Sequence, residues 1–333
     1  MIPLTPSDLL HADKSQAVVV FGGTGFIGRH LMERLKADGF QRVVSVDIRA
    51  PKRPVEGVEY LQHDVRKLDE LDLGGPVPVL FNLSAVHTTP GHEPWEYYDT
   101  NVLGGIGITR FARRHKTRSI IFTSSISVYG PDEVAKDETT TPTPVSDYGR
   151  SKFMAEQVHR DWLAEDEGRK LVIARPAVVF GPGEGGNFTR LARMLKKGFF
   201  LYPGRKDTIK SCIYVGDLVS WMLHAGGLAD RFILFNGAFT NRYTIEEIVD
   251  TFRKVAYPQV RTFMVPAGVL KTAAAMLRPL SVANLGIHPD RIEKLMVSTN
   301  ILPGWAEAAG LDTRDRLQAS LEDWKSVGDG EFI

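Results

Sequence analysis

A doubly wound α/β sheet is predicted for the larger part of this 333-residue chain, and three observations predict it. A short apolar run, Ala17-Val-Val-Val-Phe21, leads straight into a glycine turn, Gly22-Gly-Thr-Gly-Phe-Ile-Gly28. Further apolar runs rich in β-branched residues recur along the first half. Helical spacing fills the intervals between them, so strands and helices alternate as a parallel sheet with crossovers requires.

The first run is bounded by glycines and shows no polar alternation, as befits a strand buried on both faces. Ile27, Leu31 and Leu35 then give helical spacing through Arg29 to Asp38, and Arg42-Val-Val-Ser-Val-Asp47 is the next strand. Strand, glycine turn, helix, strand and terminal acid within about thirty residues form a dinucleotide-binding, Rossmann-type unit. Its glycines let the backbone approach a pyrophosphate, and the helix start at Phe26-Ile27-Gly28 offers N–H groups and the positive end of the helix dipole. Asp47 can accept bonds from both adenosine ribose hydroxyls and would repel a 2′-phosphate, so NAD is the expected cofactor. Arg49, Lys52 and Arg53 follow closely and keep NADP as the alternative.

Strand-like runs recur at Val58–Leu61, Val77–Leu83, Ser119–Thr123 and Leu171–Ala174, with helical patterns at Trp95–His115 and Asp147–Leu163. Strand ends line the ligand crevice of such a sheet. Here they carry Asp64-Val65, Ser84-Ala85-Val86-His87 and Thr123-Ser124-Ser125. Asp64 is placed to bond an adenine amino group, and His87 is either structural or in touch with ribose or substrate. Beyond Arg175-Pro176 the pattern changes. Gly181-Pro-Gly-Glu-Gly-Gly186 marks the boundary between a dinucleotide-binding domain, 16–180, and a smaller, mainly helical substrate-binding part, 181–333. Ile209–Val215 and Arg231–Asn236 look like strands that return to the main sheet, and Thr244-Ile-Glu-Glu247 like a capping-box helix start.

The chemistry points to Tyr148-Gly-Arg-Ser-Lys152. A tyrosine and a lysine four apart on a helix share one face. A nearby ammonium and the positive ring of an oxidised nicotinamide would favour the phenolate, letting the phenol exchange protons near neutrality. That is what removing an alcohol proton during hydride transfer needs. Tyr202 and Lys206 repeat the spacing, but Pro203 and Gly204 between them read as a turn.

Composition is that of an ordinary globular chain, with 43% hydrophobic and 24% charged residues. A formal net charge of +1 gives no strong global draw to nucleic acid or to a membrane. A single cysteine, Cys212, excludes an internal disulfide framework and suits a reducing compartment, so a cytoplasmic location is expected. The start of the chain does not read as a signal peptide. The nine histidines show no paired-ligand spacing, so no metal is expected. Val265–Leu280 is apolar but interrupted by Lys271 and Arg278 and is too short to span a bilayer, so it reads as a core or lid helix, with membrane association as a minor alternative.

Five features occur together and in order: the glycine turn, Asp64, Thr123-Ser-Ser-Ile-Ser-Val-Tyr-Gly130, Tyr148-Gly-Arg-Ser-Lys152 and Arg175-Pro176. Together they resemble the extended short-chain dehydrogenase/reductase family, and within it the nucleotide-sugar epimerases, dehydratases and 4-ketoreductases. The resemblance implies that Tyr148 is the acid/base and that Lys152 bonds the nicotinamide ribose and lowers the tyrosine pKa. Ser125 would hydrogen-bond the reacting oxygen, with Ser124 and Ser127 as rivals. Gly22, Gly25 and Gly28 would receive the pyrophosphate, Asp47 the adenosine ribose and Asp64-Val65 the adenine, with Ser84 and Ala85 lining the cofactor crevice. More loosely, Asn187 and Lys210 would meet the substrate diphosphate, with Arg291 a second phosphate ligand. Lys210 stands where an arginine is usual, supplying charge without a bidentate fork. Val178 replaces a substrate asparagine of the galactose-type epimerases. Ser125-Ile126-Ser127 replaces the Thr-Asp-Glu of the sugar dehydratases, and isoleucine and serine cannot do that proton chemistry.

The resulting expectation is an NAD-dependent nucleotide-sugar 4-epimerase. A 4-keto-6-deoxy-sugar reductase is the main alternative, and a steroid- or flavonoid-type reductase and a non-catalytic dinucleotide binder are lesser ones. The resemblance also implies a homodimer whose Trp95–His115 and Asp147–Leu163 helices pair through Ile106, Ile108, Phe111, Ala112, Phe153, Val158 and Trp162.

Overall fold

A computed structural model describes residues 13–88, 91–266, 296–311 and 314–333. Its centre is a seven-stranded, all-parallel sheet in the order β11-β7-β5-β4-β1-β2-β3. The strands are β1 (Val18–Phe21), β2 (Val43–Asp47), β3 (Val58–Gln62), β4 (Val79–Asn82), β5 (Ser119–Thr123), β7 (Lys170–Pro176) and β11 (Phe232–Gly237). The crossover direction reverses between β1 and β4, which opens the ligand crevice at the strand ends expected of such a sheet.

Successive residues of each strand serve opposite layers. Val18, Val20, Val79, Phe81, Ile121 and Val172 pack into one core with α1 (Phe26–Ala37) and α6 (Val215–Gly227). Val19, Phe21, Leu80, Ile120, Phe122 and Ile173 pack into the other, with α3 (Gly104–Arg114) and α4 (Asp147–Ala164). Both faces being covered is why the strands read as unbroken apolar runs.

The helical pattern at Trp95–His115 divides in three. α2 (Pro94–Tyr98) passes through a π-helical turn at Asp99–Leu103 into α3. Gly104 and Gly107 of α3 lie on the loop after β3. A Cβ on Gly107 would sit 2.1 Å from the Val65 carbonyl oxygen, so only glycine lets the helix approach so closely.

Of the two strands expected to return to the sheet, only β11 does, along β7. The other shortens to β10 (Cys212–Tyr214) and pairs with β8 (Val178–Phe180), because Ile209 and Lys210 bridge instead to Thr244 and Thr299. Among the described residues, the C-terminal part also carries short strands between its helices. β9 (Phe199–Pro203) follows α5 (Asn187–Lys196) and pairs with β12 (Arg261–Val265), which follows α7 (Ile245–Val255). β13 (Thr299–Ile301) pairs with β6 (Asp132–Lys136). These pairings join segments far apart in sequence, which local spacing does not reveal. The capping box at Thr244 and Glu247 is present as read. Val265 and Pro266 are described, and the rest of Val265–Leu280 lies outside the described residues.

Ile108, Phe111, Ala112 and Trp162, expected at a dimer interface, are fully buried against this chain's own sheet. One apolar stripe on a helix can face only one layer. The large apolar side chains these two helical stretches leave exposed are Trp95, Leu103, Ile106 and Met154.

One polar network crosses the core. Glu156 of α4 and Arg175 of β7, 0% and 2% exposed at their side chains, form a bidentate pair at 2.8 and 2.6 Å. Ser124 Oγ donates to the same carboxylate at 2.5 Å. Arg175 also donates to the Tyr129 hydroxyl, which donates to Asn236 on β11, and Asn236 donates to the Leu302 carbonyl. Four chain segments are fastened through one buried ion pair. Removing either partner of such a pair strands a charge out of water and costs about 3–5 kcal/mol.

Candidate active site

Tyr148 and Lys152 lie in the first two turns of α4, one turn apart, where Ser146 caps the helix by accepting from Gly149 N at 3.1 Å. The N-cap fixes where the helix starts and so where both side chains project. Among the three rival serines, geometry separates the roles. Ser124 is committed to Glu156. Ser127 N donates to the Ser125 hydroxyl, and Ser125 in turn interacts with the Tyr148 phenol.

Burial pushes the Tyr148 phenol above its ordinary value, with the Ser125 hydroxyl acting against it. The expected lowering, by Lys152 together with an oxidised nicotinamide, concerns the cofactor-bound protein. The lysine is itself fully buried, its ammonium 4.3 Å from the Phe122 ring centroid, and burial brings it down to about 7. Desolvation dominates both groups. An easier phenolate therefore requires a further positive charge at the site.

A second layer holds this pair in place. His159 stacks on Phe122 at 4.2 Å, and burial keeps it neutral by lowering its pKa to about 4. Its Nδ1 donates to the Ala155 carbonyl, and its Nε2 accepts from Asn82 Nδ2 at 3.2 Å. Asn82 Oδ1 in turn accepts from Ser84 N and Ser84 Oγ, fixing the loop after β4. Asn101, inside the π-helical turn, bonds both the N–H and the carbonyl of Val86 and donates to Ser151 Oγ of α4 at 2.9 Å. Tyr97 lies 6.2 Å from Tyr148, ring to ring, and its hydroxyl donates to the Thr88 carbonyl. Sequence reasoning missed Asn82, Asn101 and Tyr97. The only signal was a buried-looking asparagine in a strand and another within a helical pattern.

The dinucleotide side fits the group that the glycine turn predicts. Gly22 has φ +76°, and a Cβ there would lie 2.7 Å from Ser84 N. A Cβ on Gly28 would lie 2.6 Å from the Gly23 carbonyl oxygen, so turn and helix close on each other. Gly25 is the N-cap of α1 with no side-chain cap, and no acid stands in its first turn. The N–H groups of Phe26, Ile27 and Gly28 therefore form an anion site at a helix start.

Asp47 is 7% exposed. Its Oδ2 accepts from Thr24 N and Oγ1, and its Oδ1 from Arg49 N. The fixed carboxylate keeps Oδ1 capacity for a sugar hydroxyl, and its charge opposes a 2′-phosphate. Asp64 is held by Arg66, whose Nε donates at 2.9 Å and whose guanidinium keeps the carboxyl below its usual range. Any adenine contact would use a remaining lone pair. Val65 is buried beneath α3, and Ala85 is half-buried in the loop fixed by Asn82.

The expected substrate residues are more scattered. His87 stands at the end of the β4 loop, exposed to solvent on one side while protein packed around its ring partly desolvates it and lowers its pKa. Asn187 begins α5 and is exposed. Lys210 is turned inward, donating to the Val297 carbonyl at 2.6 Å, and burial lowers it to about 8. Arg291 lies outside the described residues. Tyr202 and Lys206 form no second site: Tyr202 is buried in β9 with the Lys206 ammonium 5.0 Å from its ring centroid.

A model of the NAD dependent epimerase/dehydratase family matches residues 18–231. The N-acetyl-alpha-D-glucosaminyl-diphospho-ditrans,octacis-undecaprenol 4-epimerase of Escherichia coli O157:H7 is 33% identical over 208 residues, 62% of this chain and 61% of that protein. The UDP-glucose 4-epimerase of Streptococcus mutans is 30% identical over 183 residues, 51% of this chain and 54% of that one. The chain thus spans less than two thirds of the length of these two relatives. In fold it is similar to the UDP-N-acetylglucosamine 4-epimerase of Bacillus cereus, with a TM-score of 0.73, 19% identity, and 95% and 97% of the two chains covered.

The buried lysine has a signature in stability. Its value of about 7 in the folded chain lies below its ordinary 10.5, so between those limits the unfolded chain holds a proton that the folded chain lacks. The cost of burying Lys152 is therefore full below pH 7 and fades as pH rises toward 10.5, by about 1.4 kcal/mol per pH unit. Lys152→Met should raise the Tm of the cofactor-free protein most at pH 6, with the gain shrinking towards pH 10. A gain that does not change with pH, or a loss at pH 6, would contradict this burial.

Proposed function

Since the chain belongs to the NAD dependent epimerase/dehydratase family, we propose that it is an NAD-dependent 4-epimerase of a nucleotide-linked hexose. The observation that carries the reading is the meeting of Tyr148, Lys152 and Ser125 at the ends of parallel strands, beside an uncapped helix start fit for a diphosphate. The family and the named activities of the relatives support epimerisation over single-step keto-sugar reduction.

In this reading the anion site at Phe26–Gly28 holds the NAD pyrophosphate, and Asp47 selects the unphosphorylated adenosine ribose. Bound NAD supplies a place for a hydride to go and to return from. The chain's residues manage the proton. Tyr148 Oη takes it from the sugar C4 hydroxyl and later gives it back, while Ser125 Oγ hydrogen-bonds the same oxygen and fixes its position. Lys152, beneath the tyrosine, bonds the nicotinamide ribose. The positive charge that oxidised NAD would bring to the site would offset the desolvation that holds the Tyr148 phenol high in the chain alone. Asn101 and the His159–Asn82 pair position this set through α4 and the β4 loop.

A second reading of the substrate rests on one observation. The 33% identical relative is named for a sugar carried on a polyprenol diphosphate rather than on a nucleotide. Both carriers present a diphosphate next to a hexose, so the same catalytic residues serve either.

Tyr148→Phe should lower turnover about 10²–10⁴-fold, the usual contribution of a positioned acid/base, with cofactor binding retained. Near-native turnover in that variant would remove the assignment. The proposal includes a cytoplasmic homodimer, joined through the exposed Leu103 and Ile106 beside α3 and Met154 of α4. Light scattering at micromolar concentration should give twice the 37.0 kDa chain mass, and a monomeric mass would refute it.

A further inference from the structure

We propose that the outer face formed by α5, β9 and β12 docks on an anionic lipid surface. Lysines and arginines balance acids over the whole chain, 41 against 40, but not here. Residues 185–206 contain six lysines and arginines and no aspartate or glutamate, and residues 251–266 contain three and none. Strand pairing brings these two acid-free segments together. β9 and β12 run in register, with Arg261 opposite Phe199 and Phe263 opposite Leu201, and Arg261 N bonds the Gly198 carbonyl.

The ribbon has two unlike faces. Phe200 and Tyr202 point into the core, while Phe199, Leu201 and Phe263 remain 47%, 43% and 53% exposed. Two strands with an apolar outer face are not stable exposed to water by themselves, and a contiguous apolar patch marks an interaction surface. α5 leads into β9 and is basic on its exposed side. Arg190, Arg193, Met194 and Lys197 share its outward stripe, since they stand three, four and seven residues apart.

The charges choose the occupant. Lys196, Arg205, Lys206 and Arg253 have carboxylate partners. Arg190, Arg193, Lys197 and Arg261 form no ion pair with another described residue, and Arg261 stands opposite Phe199 while Lys197 precedes Phe199 by two residues. Apolar side chains at the centre with unpaired cations around them match an anionic bilayer: the rings enter the headgroup boundary and the cations meet lipid phosphates. No helix among the described residues is long and apolar enough to cross a membrane, so the contact is with its surface. The docking helix starts at Asn187, the residue proposed for the substrate diphosphate, so the lipid surface would border the substrate end of the molecule. The proposal goes beyond the epimerase reading and is measured without it.

The test is sedimentation of the full chain with vesicles of phosphatidylcholine alone or phosphatidylcholine mixed with phosphatidylglycerol. The intact protein should partition at least about tenfold more strongly onto the anionic vesicles and release at high salt. Arg193→Gln/Lys197→Gln/Arg261→Gln should weaken that partition on the order of a hundredfold. Phe199→Ser/Phe263→Ser should weaken it at low salt as well. All five positions are exposed, so the circular dichroism spectra should be unchanged. No binding to anionic vesicles, equal binding to both kinds, or intact binding by either variant would overturn the proposal. So would self-association without lipid that the paired phenylalanine substitution abolishes, because a second copy would then be the occupant.

Discussion

The bidentate pair between Glu156 and Arg175 is the contact on which the arrangement of the site depends. A helix lying on a sheet through apolar contacts alone can slide or rotate at little cost, because such contacts are not directional. Two short charge-assisted hydrogen bonds between fully buried side chains remove that freedom. Glu156 stands one turn beyond Lys152, so locking it to β7 sets the rotation of α4 and thus where Lys152 and Tyr148 project. Ser124 reads the same carboxylate from the end of β5, which leaves its neighbour Ser125 facing the phenol. The pair therefore registers three elements against one another at the strand ends.

Much of this was legible in the sequence because it is local. The strand–turn–helix–strand unit, the tyrosine and lysine on one helix face and the capping box at Thr244 each lie within a window that periodicity and turn chemistry can read. Partners joined across the fold were not legible. Nothing in Trp95–His115 announces that Asn101 will bond Val86 and open a π-helical turn. Nothing in the C-terminal part announces that Phe199–Pro203 and Arg261–Val265 will pair across sixty residues. Ile108, Phe111, Ala112 and Trp162 show the same limit. An apolar stripe says that a helix face is covered, not whether a sheet or a second chain covers it.

The electrostatics of the site were legible in kind. Tyrosine beside lysine suggests a lowered phenol pKa. Yet both groups are buried, and burial moves the phenol up and the ammonium down. The chain by itself holds its acid/base in reserve, in the protonated form. The positive charge of a bound oxidised cofactor would supply what the lysine alone does not, so readiness for proton transfer would be coupled to cofactor binding. The unbalanced charge sits elsewhere, on the α5 and β12 face, which separates the chemistry from the surface the protein presents to its surroundings.

The central claim is that this set removes and returns a proton at a sugar C4 while the hydride leaves and comes back on the same bound cofactor. The direct measurement is turnover of a UDP-hexose carrying deuterium at C4, followed by mass spectrometry of the product and absorbance of reduced nicotinamide. The account predicts a C4-inverted product that retains the deuterium, with no net accumulation of reduced cofactor. Loss of the label to solvent, or formation of reduced cofactor in step with product, would contradict it.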